Sequence, residues 1–256
     1  MVDLSMRTTS PYSQTTIATI NITMQYTMTT QNIISLNAPN HNTNCIDVDS
    51  APTVESPPSK QRIPEVRTIE IPRLENQIQK GQKFLLDPTG TVQRINVCLG
   101  WNVLNPQCDI DVSAFILGTD NKVLGDDWFV FYGQEDSPDK TVHFSLSEET
   151  DREYISVDLA GLNSNVHKIV FVLTINDALK NYLNFSMVKD AYIRILNADN
   201  QQELVSFQMT DYYDNVISMM IGEIYLHAGN WKCNAIGNGV AKDLAGLCEL
   251  YGVQVV

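Results

Sequence analysis

From about residue 74 to its end, the chain predicts an all-β fold, a sandwich or barrel closed by one C-terminal helix and preceded by a tail of low complexity. Three observations carry this. Short runs of alternating apolar and polar residues recur between turn residues, helical spacing occurs late, and the first 66 residues are rich in Thr, Asn, Gln and Ser but poor in charge. Many short strands with few helical periods argue for stacked or closed sheets.

Taken in order, residues 1–66 end in a Pro-punctuated run, 51–64, that reads as a linker. The segment offers too few large apolar groups to offset the entropy of ordering, so it is expected to be largely disordered. Residues 17–28 resist that description: Ala18, Ile20, Ile22, Met24, Tyr26 and Met28 alternate with Thr19, Asn21, Thr23, Gln25 and Thr27. This is either a strand, which must then pair with a sheet edge of its own or another molecule, or a chance alternation in a Thr-rich tail. The remainder, 67–256, is taken as one domain. Its expected strands are 93–99, 109–117, 128–132, 142–146, 154–159, 168–175, 191–196, 203–209, 218–226 and 231–236. After Gly237 and Gly239, the spacing of Val240, Leu244, Leu247 and Tyr251 predicts an amphipathic helix.

Composition narrows the function. A 256-residue chain with 43% apolar residues can bury one large all-β core. Its formal net charge of -13 repels phosphate backbones and anionic membrane faces, leaving cations and basic partners, and argues against nucleic acid. The five cysteines, Cys45, Cys98, Cys108, Cys233 and Cys248, form no CxxC pair and read as buried, reduced thiols, with Cys108 expected outside any disulfide. The N-terminus lacks the basic and apolar regions of a secretory signal, so a cytoplasmic location is expected and the Asn-x-Ser/Thr sequences at Asn21 and Asn184 are chance matches. The longest apolar stretch, 216–226, contains Glu223 and is about half the length of a membrane-spanning helix.

Acids are unevenly spread, with thirteen against three bases between residues 100 and 160. Asp109 and Asp111 flank Ile110 at the start of an expected strand, so the pleat puts both carboxylates on one face with Ser113 following. Two carboxylates that close repel each other and call for a cation or a wet surface. Calcium suits them, because a hard cation takes several oxygen ligands gathered from different loops, and Asp126 and the Asp151-x-Glu153 pair are further candidate suppliers. Nothing comparable marks an enzyme: there is no Gly-x-Ser-x-Gly elbow or phosphate-binding Gly-rich loop, and His41, His143, His167 and His227 are isolated. Trp101, Trp128 and Trp231 could line a ligand groove, but the core is the expected place for them.

The ordered series Lys80-Gly81, Leu99-Gly100-Trp101-Asn102, Cys108 through Leu117, and Phe129-Val130-Phe131-Tyr132 resembles the TerD family. The series continues through Lys168 to Phe171, Ile175 to Ala178, Phe185, Ala191 to Arg194, Gly222 to Tyr225, Asn230 to Lys232 and Ala235 to Gly237. The resemblance implies a sandwich of two mostly antiparallel sheets with acidic loops at one end that bind calcium in many members. It also implies a link to tellurite resistance and stress response, and some relatives are described as cyclic-nucleotide-binding. Carried over residue by residue, it marks Asp109, Asp111, Asp126, Asp151 and Glu153 as metal ligands, with Asn102 where the family has Asp. Trp128, Gly133-Gln134 and Phe144-Ser145-Leu146-Ser147 also depart from the family's pattern. Fewer carboxylates lower calcium affinity, so one weakened site at most is implied.

The expected function is a non-enzymatic, calcium-binding stress or tellurite-resistance protein acting by binding or scaffolding, with protein partners of unknown identity. Two alternatives stand beside it. One is an assembly module in which residues 17–28 link subunits of a homo-oligomer, and the other is a small-molecule binder, for example of a cyclic nucleotide.

Overall fold

The structure, a computed structural model, describes residues 68–147 and 150–255, so the alternating stretch at 17–28 lies outside the described residues. Its strands are β1 (Lys83–Leu85), β2 (Arg94–Val103), β3 (Ile110–Leu117), β4 (Phe129–Val130), β5 (Val142–Leu146), β6 (Glu153–Asp158), β7 (Lys168–Ile175), β8 (Val188–Asn197), β9 (Glu203–Gln208), β10 (Ser218–His227) and β11 (Asn230–Val240). A short helix, α1 (Ala178–Asn181), follows β7, and α2 (Leu244–Tyr251) follows β11. The strands form two antiparallel sheets, ordered β1-β11-β10-β7-β3-β4 and β5-β6-β2-β8-β9. The fold is the all-β sandwich with a C-terminal helix that the sequence predicts.

Alternation decides which residues meet between the sheets. Val97 and Leu99 on β2, Ile155 and Val157 on β6, and Ile193 and Ile195 on β8 point inward to meet Val112 and Ala114 on β3 and Phe171 and Leu173 on β7. The intervening residues of β3 and β7 point away from this core, and there the six-stranded sheet carries a second one. Phe115, Leu117, Phe129, Phe131, Val170 and Val172 are roofed by Leu244, Leu247, Cys248 and Tyr251 of α2. Phe115 stands between Phe129 and Tyr251, each ring centroid 4.5 Å away. With a sheet on one side and a helix on the other, all eight residues of β3 are buried. Double coverage explains why its sequence reads as an apolar run rather than a strict alternation.

Helix α2 starts later than the apolar spacing predicts. Val240 closes β11, and Asp243 caps the helix by accepting a hydrogen bond from the N–H of Gly246. Gly252, at φ 84°, ends it in the left-handed region where a residue without Cβ meets no penalty. Strand β1 and helix α1 were not among the expected elements. The edges of both sheets are short or covered. β4 has two residues and β1 three, while the backbone of 135–137 bonds along β5 and that of 76–78 along β9. Glu203 secures the second strap by accepting the N–H groups of Glu75 and Asn76 at 2.9 and 2.8 Å.

Candidate functional site

Five of the six candidate ligands lie toward one end of the sandwich, where β2 and β7 finish and β3, β6 and β8 begin. They occupy different layers. Asp109 and Asp111 share the outer face of the six-stranded sheet, because their neighbours Ile110 and Val112 point into the inter-sheet core. Asn102 lies on β2, whose flanking Trp101 and Val103 face that core, and it therefore points to the outside of the five-stranded sheet. There its amide clamps the incoming chain, accepting from Ile69 N–H at 2.9 Å and donating to Ile69 O and to Asp190, each at 3.1 Å.

Asp151 belongs to that same outer face. Arg194 grips it through Nε at 3.0 Å and Nη2 at 2.7 Å, and the Tyr192 hydroxyl donates to it at 2.9 Å. Tyr192 reaches it by lying flat across Gly100, where any Cβ would come within 2.4 Å of the ring. That close approach accounts for glycine in the Gly100-Trp101 pair. Arg152 completes the arrangement by donating to Trp101 O at 2.6 Å while its guanidinium stands 5.5 Å over the Trp101 ring. Trp101 is a core residue, as expected.

Glu153 sits between the sheets. It starts β6 with the inward parity of Ile155 and Val157, and its Oε2 accepts from the backbone N–H of Val112 on the opposite sheet at 2.7 Å. β4 pairs with β3 only at Ala114 and Phe115, so the carboxylate takes a strand-edge donor that β4 stops short of. Asp126 is elsewhere. It precedes β4, which pairs with β3 only at Ala114 and Phe115, so it lies toward the end of β3 away from Asp111. It accepts from Gln254 N–H at 2.8 Å, and that bond holds its carboxyl below the usual range.

The six candidates therefore do not converge. Asn102 and Asp151 are separated from Asp109 and Asp111 by the thickness of the sandwich, about 10 Å from sheet to sheet. Among the described residues no group of three or more His, Cys, Asp or Glu side chains could hold a metal ion. Beside Asp109 and Asp111 the outer face of the six-stranded sheet carries hydroxyls. Asp111 pairs across the ladder with Thr174, and Thr174 with Ser218. Ser113, Thr174 and Ser218 are all buried, and their hydroxyl oxygens have no hydrogen-bond partner. Sequence reasoning reached Ser113 but missed Thr174, Ser218, Tyr192 and Arg194. A polar residue ending the apolar run of β7 and an alternating Tyr-x-Arg pair on β8 were the available signals.

The four described cysteines are free thiols. Burial pushes Cys108 up to about 11 and Cys98, Cys233 and Cys248 up to about 12, which removes them from nucleophilic or ligand chemistry near neutral pH. No helix among the described residues is long and apolar enough to cross a membrane.

Comparison with known proteins places these features. Residues 74–251 match the TerD domain. The chain is 36% identical over 182 residues to tellurium resistance protein TerD of Serratia marcescens, covering 68% of this chain and 95% of that protein. It is 34% identical over 188 residues to general stress protein 16U of Bacillus subtilis (strain 168), covering 70% and 97% respectively. The crystal structure of a homologue of telluride resistance protein (TerD) from Streptomyces coelicolor A3(2) superposes with a TM-score of 0.48 at 18% identity, over 64% of this chain and 99% of that one.

Proposed function

This chain belongs to the TerD domain family, and on that footing we propose that it acts in tellurite resistance or a stress response as a non-enzymatic binding protein that takes calcium. The observation that carries this reading is the pairing of Asp109 and Asp111 on one face of β3, with Asp111 only 4% exposed. Two carboxylates held that close repel each other, and a divalent cation relieves the repulsion. Asp109 and Asp111 would hold the ion, supplying hard oxygen ligands. The remaining candidates have structural work: Asp151 neutralises Arg194, Glu153 ties the sheets together, Asn102 anchors Ile69, and Asp126 fastens Gln254. A reactive centre would need a nucleophile beside a base, and the described cysteines are buried thiols with raised pKa values.

Calcium titration of the purified chain tests this. Binding to the native state alone stabilises by RT ln(1 + [L]/Kd), about 2.7 kcal/mol at a hundredfold excess over Kd. The wild type is expected to melt higher in calcium, and the double change Asp109→Asn, Asp111→Asn to lose that increment while staying folded. Equal melting temperatures of the wild type with and without millimolar calcium would remove the metal from this reading.

A further inference from the structure

The outer face of the six-stranded sheet has two halves. Helix α2 roofs β3, β4 and β7, and no residue of β1, nor of β10 beyond Met220, packs in the cluster beneath it. On the bare half, parity sets what faces outward. Ile224, Cys233 and Ile169 point into the inter-sheet core, with Phe84 packed against it, so Tyr225, Lys232, Lys168 and Lys83 point away from it. Tyr225 stands directly opposite Lys232 on β11 and Lys168 on β7. Lys83 of β1 comes in from the diagonal, its ammonium 5.8 Å from the centre of the Tyr225 ring. His227, exposed, lies two residues along, edge-on to Tyr225 at 6.4 Å.

One acid answers these three lysines. Glu223 pairs with Lys168 at 3.1 Å, and its other carboxylate oxygen accepts from Asn234 Nδ2 at 3.0 Å. Lys83 and Lys232 have no carboxylate partner among the described residues. Lysines on an edge strand guard a sheet against pairing, but Lys168 and Lys232 stand on β7 and β11, inside the sheet. A net charge of -13 already provides for solubility.

We infer that this face, Tyr225 ringed by Lys83, Lys168 and Lys232, docks a short acidic segment of a partner protein. The two unanswered ammonium groups attract carboxylates, and the ring between them gives the stems of Asp and Glu side chains an apolar surface. The size of the patch selects the partner. Charges farther apart than a Debye length, about 8 Å at physiological ionic strength, are screened from each other, so a segment that ends within the patch meets its lysines and little of the acidic remainder. A nucleic-acid duplex carries one charge per about 1.7 Å of axis and would run on over that remainder, where it is repelled. The contact uses no metal and is independent of the calcium proposed at Asp109 and Asp111.

The test uses the full chain in EDTA and a fluorescein-labelled decaglutamate peptide, with binding followed by anisotropy at low and at physiological salt. The double variant Lys83→Ala, Lys232→Ala is expected to bind about fivefold more weakly, with a flatter salt dependence and an unchanged melting temperature. Lys122→Ala, Lys180→Ala removes the same charge elsewhere and should bind as the wild type does. If Lys232→Ala lowers the melting temperature, Lys83→Ala alone, at an exposed position, carries the comparison with a loss of about twofold. Wild-type affinity in the Lys83, Lys232 variants, an equal loss in the Lys122, Lys180 variant, or no binding by the wild type would overturn the inference. So would tighter binding of an oligothymidylate of the same length, which would make the face a nucleic-acid site. A dimer seen by light scattering that vanishes with Lys83 and Lys232 would overturn it too, by making the occupant a second copy of this chain.

Discussion

Gly100 carries no side chain because Tyr192 lies where one would go, and the consequence is measurable. Adding a methyl group that would come within 2.4 Å of the ring must push Tyr192 off its hydrogen bond to Asp151. Overpacking of this kind costs about 1–3 kcal/mol, so Gly100→Ala is expected to lower the urea midpoint without changing the slope of the transition. The thiols give a second residue-scale expectation. Burial raises Cys98, Cys108, Cys233 and Cys248 above the ordinary value near 9. Above pH 9 the unfolded chain releases thiol protons that the folded chain keeps, so their contribution to stability is intact below pH 9 and declines as pH rises toward 11–12. Urea midpoints measured at pH 8 and pH 10.5 should differ in that direction. At this scale the sequence was partly legible. Alternation put Asp109 and Asp111 on one face, since that follows from the pleat alone. Which sheet Asp151 would face, and that Arg194 would hold it, depended on a pairing between distant strands that local pattern does not encode.

Among the elements, α2 has the most to lose. Its eight residues are too few to hold a helix in water, so its stability comes from the face it lays on Phe115, Phe129 and Val172. Leu247 is fully buried there, and Leu247→Ala is expected to cost about 2–5 kcal/mol, read by calorimetric melting, with new binding of a hydrophobic dye as the roof loosens. The longer strands were legible because each carries an apolar stripe between turn residues. β1 was not, since three residues show no period, and Val240 fits helical spacing by coincidence while its backbone pairs with Ser218. β4 shrank to two residues because Asp126–Trp128 turns as a 3-10 helix before it. That turn also placed Asp126 at the opposite end from Asp111, a reversal that no count of acids could reveal.

For the whole molecule, the question is what the sandwich needs in order to stand alone. Both cores close within the described residues, and Ile69, 7% exposed and held by Asn102, is an early anchor. A chain beginning at Thr68 is therefore expected to fold with a cooperative transition, whereas one beginning at Pro72 loses the clamp and melts lower. Circular dichroism melts of the two compare them directly. The covered and shortened edges bear on assembly as well. A strand from another molecule adds to an open edge, and among the described residues the outermost strands are two or three residues long, β1 and β4, or bonded to a strap, β5 and β9. Association through β5 or β9 would first have to lift one of the straps, 135–137 or 76–78.

The bond from Val112 to Glu153 joins one sheet's backbone to a side chain rooted in the other. Its proton is shielded only while the two layers stay in contact, because β4 ends before reaching it. The amide of Val112 is therefore a clock for their separation. Its exchange with deuterated water times the opening of the sandwich rather than the fraying of a strand. A cation settling on the neighbouring Asp111 would slow that clock, and a loosened Glu153 would make it run fast.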